Sequence, residues 1–183
     1  MDQTAVFFSP VGRLNLLADE KGLKELCLGD PTDLTDPAEQ KYSDMACDAD
    51  DNSVTAKILQ ETKDWLRRYF AGEKPEITEL KLNLSGTAFR QKVWKILCEI
   101  PYGQTVTYGQ IAARIAREEG KKKMSAQAVG GAVGHNPIAI IVPCHRVIGS
   151  DGSLTGYAYG LEKKRWLLEH EHAWRGETNG KKL

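Results

Sequence analysis

The sequence predicts an α+β protein with a small N-terminal sheet and helix and a mostly helical C-terminal domain. Three short β-type runs, separated by turn signals, fill the first part of the chain, and a run with helical periodicity follows them. Further on, short helical segments begin at Ser or Thr caps and end at Gly or Pro. With 183 residues, the chain is long enough for one large domain or two small ones.

Three strands are predicted in the N-terminal segment, at Val6–Phe8, Leu14–Ala18 and Leu23–Leu28. Pro10-Val11-Gly12 and Asp19-Glu20-Lys21-Gly22 separate these runs and are typical of turns. The segment that follows, 29–52, is rich in Asp and contains Pro31 and Pro37. We therefore expect a long loop there.

A helix is predicted from Ser53, because this serine can cap the amphipathic run that follows it. Its apolar positions recur at helical spacing as far as Phe70, and Gly72 ends it. A small sheet with one helix is a complete unit. We place the boundary in the linker 73–85 and predict an N-terminal domain of residues 1–80 and a C-terminal domain of residues 81–183.

The C-terminal domain is predicted to hold four helices and one buried strand. Thr87–Ile100 has one apolar helical face, and Pro101-Tyr102-Gly103 stops it. Thr107 and Ser125 cap two short helices, the second ending at Gly134, and such a pair is typical of a helix-turn-helix. The apolar run 138–142 predicts a strand leading to Cys144, and the last helix is predicted over Leu161–Ala173.

The charge is divided unevenly between the two parts of the chain. The net charge is zero, but residues 1–75 carry 9 Lys+Arg against 15 Asp+Glu, and the remaining residues carry 16 against 10. A basic C-terminal part fits a phosphate-bearing partner such as DNA. The alternative interpretation of the same excess is a solvated surface.

Composition argues against several other classes of protein. The N-terminus has no basic region followed by an apolar core, and no apolar run approaches the roughly 20 residues of a membrane span. The four cysteines have no paired spacing, so a structural zinc site is not expected. Cys27 and Cys98 lie in apolar patterns typical of a core, whereas Cys47 lies in an acidic polar stretch.

The tetrapeptide Pro143-Cys144-His145-Arg146 carries the strongest chemical signal. Cysteine attacks as the thiolate, and a neighbouring imidazole can accept its proton and then stabilise the anion. A buried structural thiol beside a histidine is the alternative, and it is the commoner case in proteins generally.

The residues around this tetrapeptide carry a family resemblance. Asn136 to Gly149 resembles the active-site segment of the O6-alkylguanine-DNA alkyltransferases, the methylated-DNA–protein-cysteine methyltransferases. Similar blocks occur in family order between about Gly86 and Glu171, and they are Phe89–Trp94, Ile100–Tyr108, Ala128–Pro137 and Gly156-Tyr157. The N-terminal segment fits the family more loosely.

The resemblance implies a fold and a function. The fold is a ribonuclease H-like N-terminal domain followed by a winged-helix-like domain that holds the helix-turn-helix and the reactive cysteine. The function is DNA repair by irreversible transfer of the alkyl group of O6-alkylguanine, and of O4-alkylthymine, to Cys144. A monomer without a cofactor or metal is implied, acting on double-stranded DNA with alkylated guanine, away from membranes, in the cytoplasm or in a eukaryotic nucleus.

In this resemblance, four residues serve the reacting sulfur. Cys144 is the nucleophile, His145 acts as its base through a water, and Glu171 orients His145. Asn136 braces the turn that leads to the active-site segment. Without the resemblance, Glu171 would be interpreted as a solvated helix residue.

Five further residues are assigned to the damaged base. Tyr108 can donate from its phenol to a ring nitrogen of the leaving guanine and crowds the target phosphate, although alone it could equally be a packing residue. The backbone carbonyls of Cys144 and Val147 recognise the exocyclic amine, and Tyr157 walls the pocket. Ala158 and Tyr159 complete the set, standing where relatives commonly have serine and often glycine, so Tyr159 should narrow the pocket.

The predicted DNA contacts are Ala126, Gln127, Ala128 and Gly130 on the second helix of the pair, together with Arg90. Small side chains let a helix enter the minor groove closely, and the damaged base is flipped out there. Close helix–helix packing is the alternative role for such residues. Gln127 stands where many relatives have an arginine, and the charged stretch 118–123 lengthens the turn before it.

Two other functions remain open from the sequence. A cysteine hydrolase could use Cys144 and His145, but no protease-like cysteine signature accompanies them. A DNA-binding module that only marks lesions would not need the nucleophile. Continued turnover with excess substrate would indicate the hydrolase, whereas an acceptor stops after one equivalent.

Overall fold

The structure is a computed structural model that describes residues 1–29 and 53–174. Its strands are β1 (Gln3–Ser9), β2 (Gly12–Asp19), β3 (Gly22–Leu28), β4 (Val106–Thr107) and β5 (Val147–Ile148). Its α-helices are α1 (Val54–Phe70), α2 (Ala88–Cys98), α3 (Tyr108–Glu118), α4 (Ala126–Gly134) and α5 (Leu161–His170). Short 3-10 helices lie at Ile77–Glu79 and Cys144–Arg146. The α+β prediction is confirmed. The predicted loop over 29–52 lies outside the described residues except for Gly29, and so does Cys47.

The described residues form two compact units. The first comprises residues up to 91 together with 136–142, and the second comprises 92–135 and 143–174. The division falls within α2 and places the segment before the reactive cysteine with the N-terminal sheet. The domain boundary between residues 80 and 81 stays a prediction.

The first unit is a three-stranded antiparallel sheet covered by α1. The strand order is β1-β2-β3, and the register pairs Phe7 with Leu14 and Leu16 with Leu26. Strand residues alternate between the two faces, so one face of each strand is buried under α1 through apolar side chains such as Leu59 and Leu66. The predicted cap is present, since the hydroxyl of Ser53 accepts a hydrogen bond from the backbone N–H of Ala56.

A close approach to β3 explains one glycine of this unit. Gly22 has φ of 151°, and a Cβ there would lie 2.5 Å from the carbonyl oxygen of Lys81. The backbone N–H of Leu23 donates to that oxygen at 2.8 Å, and the N–H of Asn83 donates to the carbonyl of Leu23 at 2.8 Å. The linker after α1 therefore runs beside the sheet and extends its backbone hydrogen bonding.

The predicted strand before Cys144 is wrong. Only Ile138 bridges to β3, through Leu26, and residues 139–141 form a buried turn. Ile140 has φ of 68°, a left-handed conformation that a β-branched residue rarely adopts. An apolar run of this length is consistent with a buried strand, but here it fills the interior as a turn, so its burial rather than its conformation was predictable.

The second unit contains the helix pair. Thr107 caps α3 and Ser125 caps α4, as predicted, and the two helices pack on each other. The short strands β4 and β5 pair in parallel, with Val106 opposite Val147. The indole N–H of Trp94 donates to the carbonyl of Ala132 at 2.9 Å, which anchors α2 to α4.

Two details differ from the sequence-based expectation. The last helix ends at His170, so Glu171 is its C-cap rather than a residue within it. Cys27 and Cys98 are half-buried rather than fully buried core residues.

In the described part of the chain, no helix combines the length and the apolar character that crossing a membrane requires.

Candidate active site

Cys144 begins the short 3-10 helix of the second unit and is buried, with 7% of its surface exposed. The backbone N–H of Val147 closes this turn on the carbonyl of Cys144, and the N–H of Arg146 donates to the carbonyl of Pro143 at 3.0 Å. Three consecutive buried side chains, Cys144, His145 and Arg146, are thereby held on one tight turn.

His145 is fixed by a buried carboxylate. Its Nε2 lies 2.7 Å from Oε1 of Glu171, and neither side chain is exposed. A carboxylate only accepts hydrogen bonds when ionised, so Nε2 carries the proton and Nδ1 is the basic nitrogen of the neutral ring. Nδ1 is buried and has no hydrogen-bond partner among the residues that the structure describes. This nitrogen can therefore accept a proton from a donor entering the site.

Arg146 holds the same carboxylate from the other side. Its Nε donates to Oε2 of Glu171 at 2.7 Å and its Nη2 to Oε1 at 3.1 Å, a two-pronged pair. Nη1 donates to the carbonyl of Ile100 at 2.6 Å, and the guanidinium lies 5.7 Å from the ring centre of Tyr102. These contacts satisfy a cation that would be costly to bury alone.

The protonation states of His145 and Glu171 are set by burial and by the charges around them. Burial lowers the pKa of His145, and the nearby charges of Arg146 and Lys164 act in the same direction against the opposing effect of Glu171. Burial would raise the pKa of Glu171, but the hydrogen bonds and charges of His145 and Arg146 outweigh it and hold that pKa well below its usual range. At neutral pH the pair is a neutral imidazole and a carboxylate.

Lys164 is a site residue that the sequence interpretation missed. It is fully buried on α5, and its Nζ donates to the carbonyls of Val147 at 2.6 Å, Thr155 at 2.9 Å and Gly156 at 3.3 Å. Burial lowers the pKa of Lys164 to about 8, against the opposing attraction of a Cys144 thiolate. The sequence did offer one indication that Lys164 is buried: it lies three residues before Leu167, on the buried side of the predicted helix.

Tyr108 links the start of α3 to the loop before α5. Its hydroxyl donates to the carbonyl of Thr155 at 3.1 Å, the same oxygen that receives Lys164. Its ring faces α4, since a Cβ on Gly130 would lie 3.8 Å from that ring. Burial raises the pKa of Tyr108, and the charge of Cys144 adds to this shift, so the phenol keeps its proton at neutral pH.

The other predicted base-contacting residues lie in the loop before α5 and at β5. Tyr157 and Tyr159 meet edge to face, with ring centres 5.6 Å apart, whereas Ala158 is exposed. The hydroxyl of Tyr157 is buried without a hydrogen-bond partner in the described part of the chain, and burial raises its pKa well above the usual value. Val147 is buried, and its carbonyl already accepts from Lys164, which leaves one lone pair for a second donor.

The predicted DNA-contacting face of α4 is open. Ala126, Gln127 and Ala128 are exposed, and a Cβ on Gly131 would meet nothing within 4 Å. Only Gly130 of this set packs under another side chain, the Tyr108 ring. Small residues here leave a bare helix surface rather than a helix–helix contact.

Asn136 and Arg90 belong to the first unit. The amide Nδ2 of Asn136 donates to the carbonyls of Val142 at 2.8 Å and Ile138 at 3.3 Å, and its Oδ1 accepts from the N–H of Ile138 at 3.0 Å. These bonds close the turn that contains the left-handed Ile140. Arg90 is half-buried in the first turn of α2. Among the described residues, no group of His, Cys, Asp and Glu is arranged to hold a metal ion.

Both parts of the chain match known families. Residues 88–173 match the family described as 6-O-methylguanine DNA methyltransferase, DNA binding domain. Residues 4–84 match the one described as 6-O-methylguanine DNA methyltransferase, ribonuclease-like domain.

Individual relatives are similar over nearly the whole chain. A methylated-DNA–protein-cysteine methyltransferase of Methanosarcina barkeri is 47% identical over 163 residues, covering 89% of this chain and 92% of the relative. A protein of the same name from Haemophilus influenzae is 38% identical over 172 residues, covering 92% and 87%. The crystal structure of Mycobacterium tuberculosis OGT in complex with DNA has a TM-score of 0.68 at 41% identity, covering 92% of this chain and 91% of that chain.

Proposed function

Because the chain belongs to the 6-O-methylguanine DNA methyltransferase family, we propose that it repairs alkylated DNA by taking the alkyl group of O6-alkylguanine onto its own Cys144. The observation that carries this proposal is that His145, next to Cys144 on one tight turn, is paired at 2.7 Å with the buried Glu171 at the end of α5, which leaves Nδ1 of His145 as a base. A structural thiol would not need such a base beside it.

The reaction is a displacement at the alkyl carbon. The sulfur of Cys144 forms a bond to that carbon as the bond to O6 breaks, and the electron pair of the broken bond goes to the guanine. The thiol proton passes through a water to Nδ1 of His145, and Glu171 stabilises the imidazolium that results. The guanine anion takes up a proton from water, the His145 imidazolium returns its proton to solvent, and Cys144 is left as a thioether, which is a poor leaving group. One molecule therefore repairs one base.

The charges around the sulfur support thiolate formation. His145 is neutral at physiological pH, so it can accept the proton. The ammonium of Lys164 attracts a thiolate on Cys144, and the charge of that thiolate in turn raises the pKa of Lys164 against the effect of burial. The same thiolate would repel a tyrosinate, so the phenol of Tyr108 stays protonated and is available as a donor. Its single hydroxyl proton, which binds the carbonyl of Thr155 at 3.1 Å, would turn to the guanine as negative charge develops there.

The base must leave the duplex to reach a buried sulfur. Flipping costs a few kcal/mol in unpairing and unstacking, which contacts on the DNA must offset. The exposed small residues of α4 can approach the floor of the minor groove, and Gln127 can hydrogen-bond to the cytosine left behind. Arg90 is assigned to the DNA backbone. Tyr157, Ala158, Tyr159 and the Val147 carbonyl are assigned to the flipped base.

This partner also sets where the protein works. A repair protein has to reach chromosomal DNA, so we place it in the cytoplasm of a prokaryote or the nucleus of a eukaryote.

Stoichiometry separates the acceptor from the cysteine hydrolase. The protein is incubated with excess duplex containing O6-methylguanine, and unmodified guanine is counted over time. We expect one guanine per protein and then no further reaction, and Cys144→Ser should bind the duplex without transferring the methyl group, because a hydroxyl is far harder to ionise than a thiol. Continued turnover would overturn the proposal, and so would transfer by the serine variant.

A further inference from the structure

A basic groove lies at the turn that joins α3 to α4. It encloses about 490 Å³ within the second unit. Its apolar wall is made by α3 and by the residue before the cap of α4, through Ala112, Ala113, Ala116 and Met124. Gly109, in the first turn of α3, and Ala126, the first residue of α4, also line the groove.

The rim of the groove is cationic. Arg117, Lys121, Lys122 and Lys123 line it, all four are exposed, and no carboxylate is among the lining residues. Four positive charges around an apolar strip form a surface that attracts a polyanion.

The acidic residues of this turn are already engaged elsewhere. Arg114 binds Glu118 at 2.9 Å, and Glu119 binds Lys92 and Lys121 at 2.8 and 2.7 Å. The hydrogen bonds from Lys121 and Lys92 lower the pKa of Glu119 to about 2, so that it remains ionised and holds both lysines. Within residues 1–29 and 53–174, no carboxylate forms an ion pair with Lys122, Lys123 or Arg117.

We propose that this groove receives the sugar-phosphate backbone of the DNA duplex beside the stretch that α4 contacts. The inference rests on the proposed function, because it names a second contact for the same DNA. Phosphates would pair with Lys122, Lys123 and Arg117, while the sugars would lie on the alanine wall. Ala126 belongs both to the groove and to the exposed face of α4, so one strand can pass continuously from one to the other.

Charge removal tests the groove. The double variant Lys122→Gln and Lys123→Gln, called the rim variant, removes two charges from the rim of the groove. The double variant Lys57→Gln and Lys74→Gln is the matched control and removes two exposed charges from the first unit. Affinity for an unmodified duplex is measured across a salt series for both variants and the parent protein. We expect the slope of log affinity against log salt to become shallower by about 0.9 for each phosphate that the variant no longer neutralises, close to two units for the rim variant. The control should keep the parental slope.

Blocking the groove without changing charge is the second arm. Ala113 is exposed on α3, so Ala113→Trp can fill the groove without disturbing the core. It should weaken duplex binding, and thermal unfolding shows that the variant is folded. A parental slope in the rim variant, or an equal change of slope in rim variant and control, would overturn the groove proposal. Methyl transfer by the parent protein is followed on the methylated duplex in parallel, so that failure of the proposed function is seen separately.

Discussion

Glu171→Gln tests the buried network most severely, because this carboxylate receives four donors. His145 and two nitrogens of Arg146 bind it, and the N–H of Gly103 reaches Oε2 at 3.4 Å. Glutamine keeps the size of the side chain, but it removes the negative charge and turns an NH₂ toward a donor. The variant leaves the Arg146 guanidinium buried without its counter-charge.

The expected loss of stability is large. Breaking a buried ion pair by removing one partner costs about 3–5 kcal/mol, which is a large share of the ~5–15 kcal/mol that stabilises an ordinary domain. With a urea dependence of about 2 kcal/mol per molar, the unfolding midpoint should fall by roughly 2 M. Adding Arg146→Met should recover part of this loss, since both charges are then gone.

The rate of methyl transfer shows whether Glu171 only stabilises the fold or also acts on the reaction through His145. Without the carboxylate, the tautomer of His145 is no longer fixed, and general-base assistance is worth about 10²–10⁴-fold. We expect single-turnover transfer by folded Glu171→Gln protein to be slower by at least ~100-fold, and the double variant to stay slow although its stability returns. A double variant with the parental rate would refute a role for Glu171 through His145, and so would a single variant with parental stability and rate.

The same network predicts how stability responds to pH. The pKa of Glu171 lies below its ordinary value of 4.5 in the folded protein, so the unfolded chain binds its proton first as the pH falls. The stabilisation is therefore complete above about pH 4.5 and is lost progressively below it. Glu171→Gln should remove this acid-dependent component, as urea unfolding across pH would show.

Three further predictions concern residues outside this pair. Lys164→Met should slow methyl transfer below pH 8, and the difference in rate from the parent protein should narrow above that pH, because Lys164 itself loses its charge at about pH 8. A ratio of parent rate to variant rate that does not change with pH would contradict the electrostatic role of Lys164. Asn136→Ala should lower the free energy of unfolding by about 2–4 kcal/mol, because it strips partners from buried backbone groups of a strained turn, and a change under 0.5 kcal/mol would contradict this. Tyr159→Gly should speed the reaction with free O6-benzylguanine by opening the pocket beside Tyr157, and an unchanged rate constant would show that Tyr159 lies off the path of the base.

The elements of the fold were predictable where local chemistry decides them. Ser53, Thr107 and Ser125 cap helices that begin where the sequence indicates, because a hydroxyl at that point satisfies a free backbone N–H whatever the tertiary context. The three N-terminal strands follow from their short β-type runs and the turn signals between them. Glycines or polar turns mark the ends of most elements.

Tertiary packing decided what the sequence could not. The run 138–142 is apolar because it is buried, and its turn depends on the hydrogen bonds of Asn136 rather than on a local preference. Lys164 lies among charged neighbours and so resembles a solvated residue, although three carbonyls enclose its ammonium. The pairing of Glu171 with His145 joins positions 26 residues apart, and only the resemblance to a family brought them together.

The role of Cys144 as the alkyl acceptor is open to direct test by mapping the modified residue. The protein is exposed to one equivalent of duplex containing O6-methylguanine, digested, and analysed by peptide mass spectrometry. We predict a single methyl group, on the peptide of Cys144, with Cys27, Cys47 and Cys98 unmodified. The half-buried Cys98 is an internal control, because burial raises the pKa of its thiol to about 11 and keeps it protonated. A methyl group on any other cysteine, or none on Cys144 after the duplex has been repaired, would contradict this role.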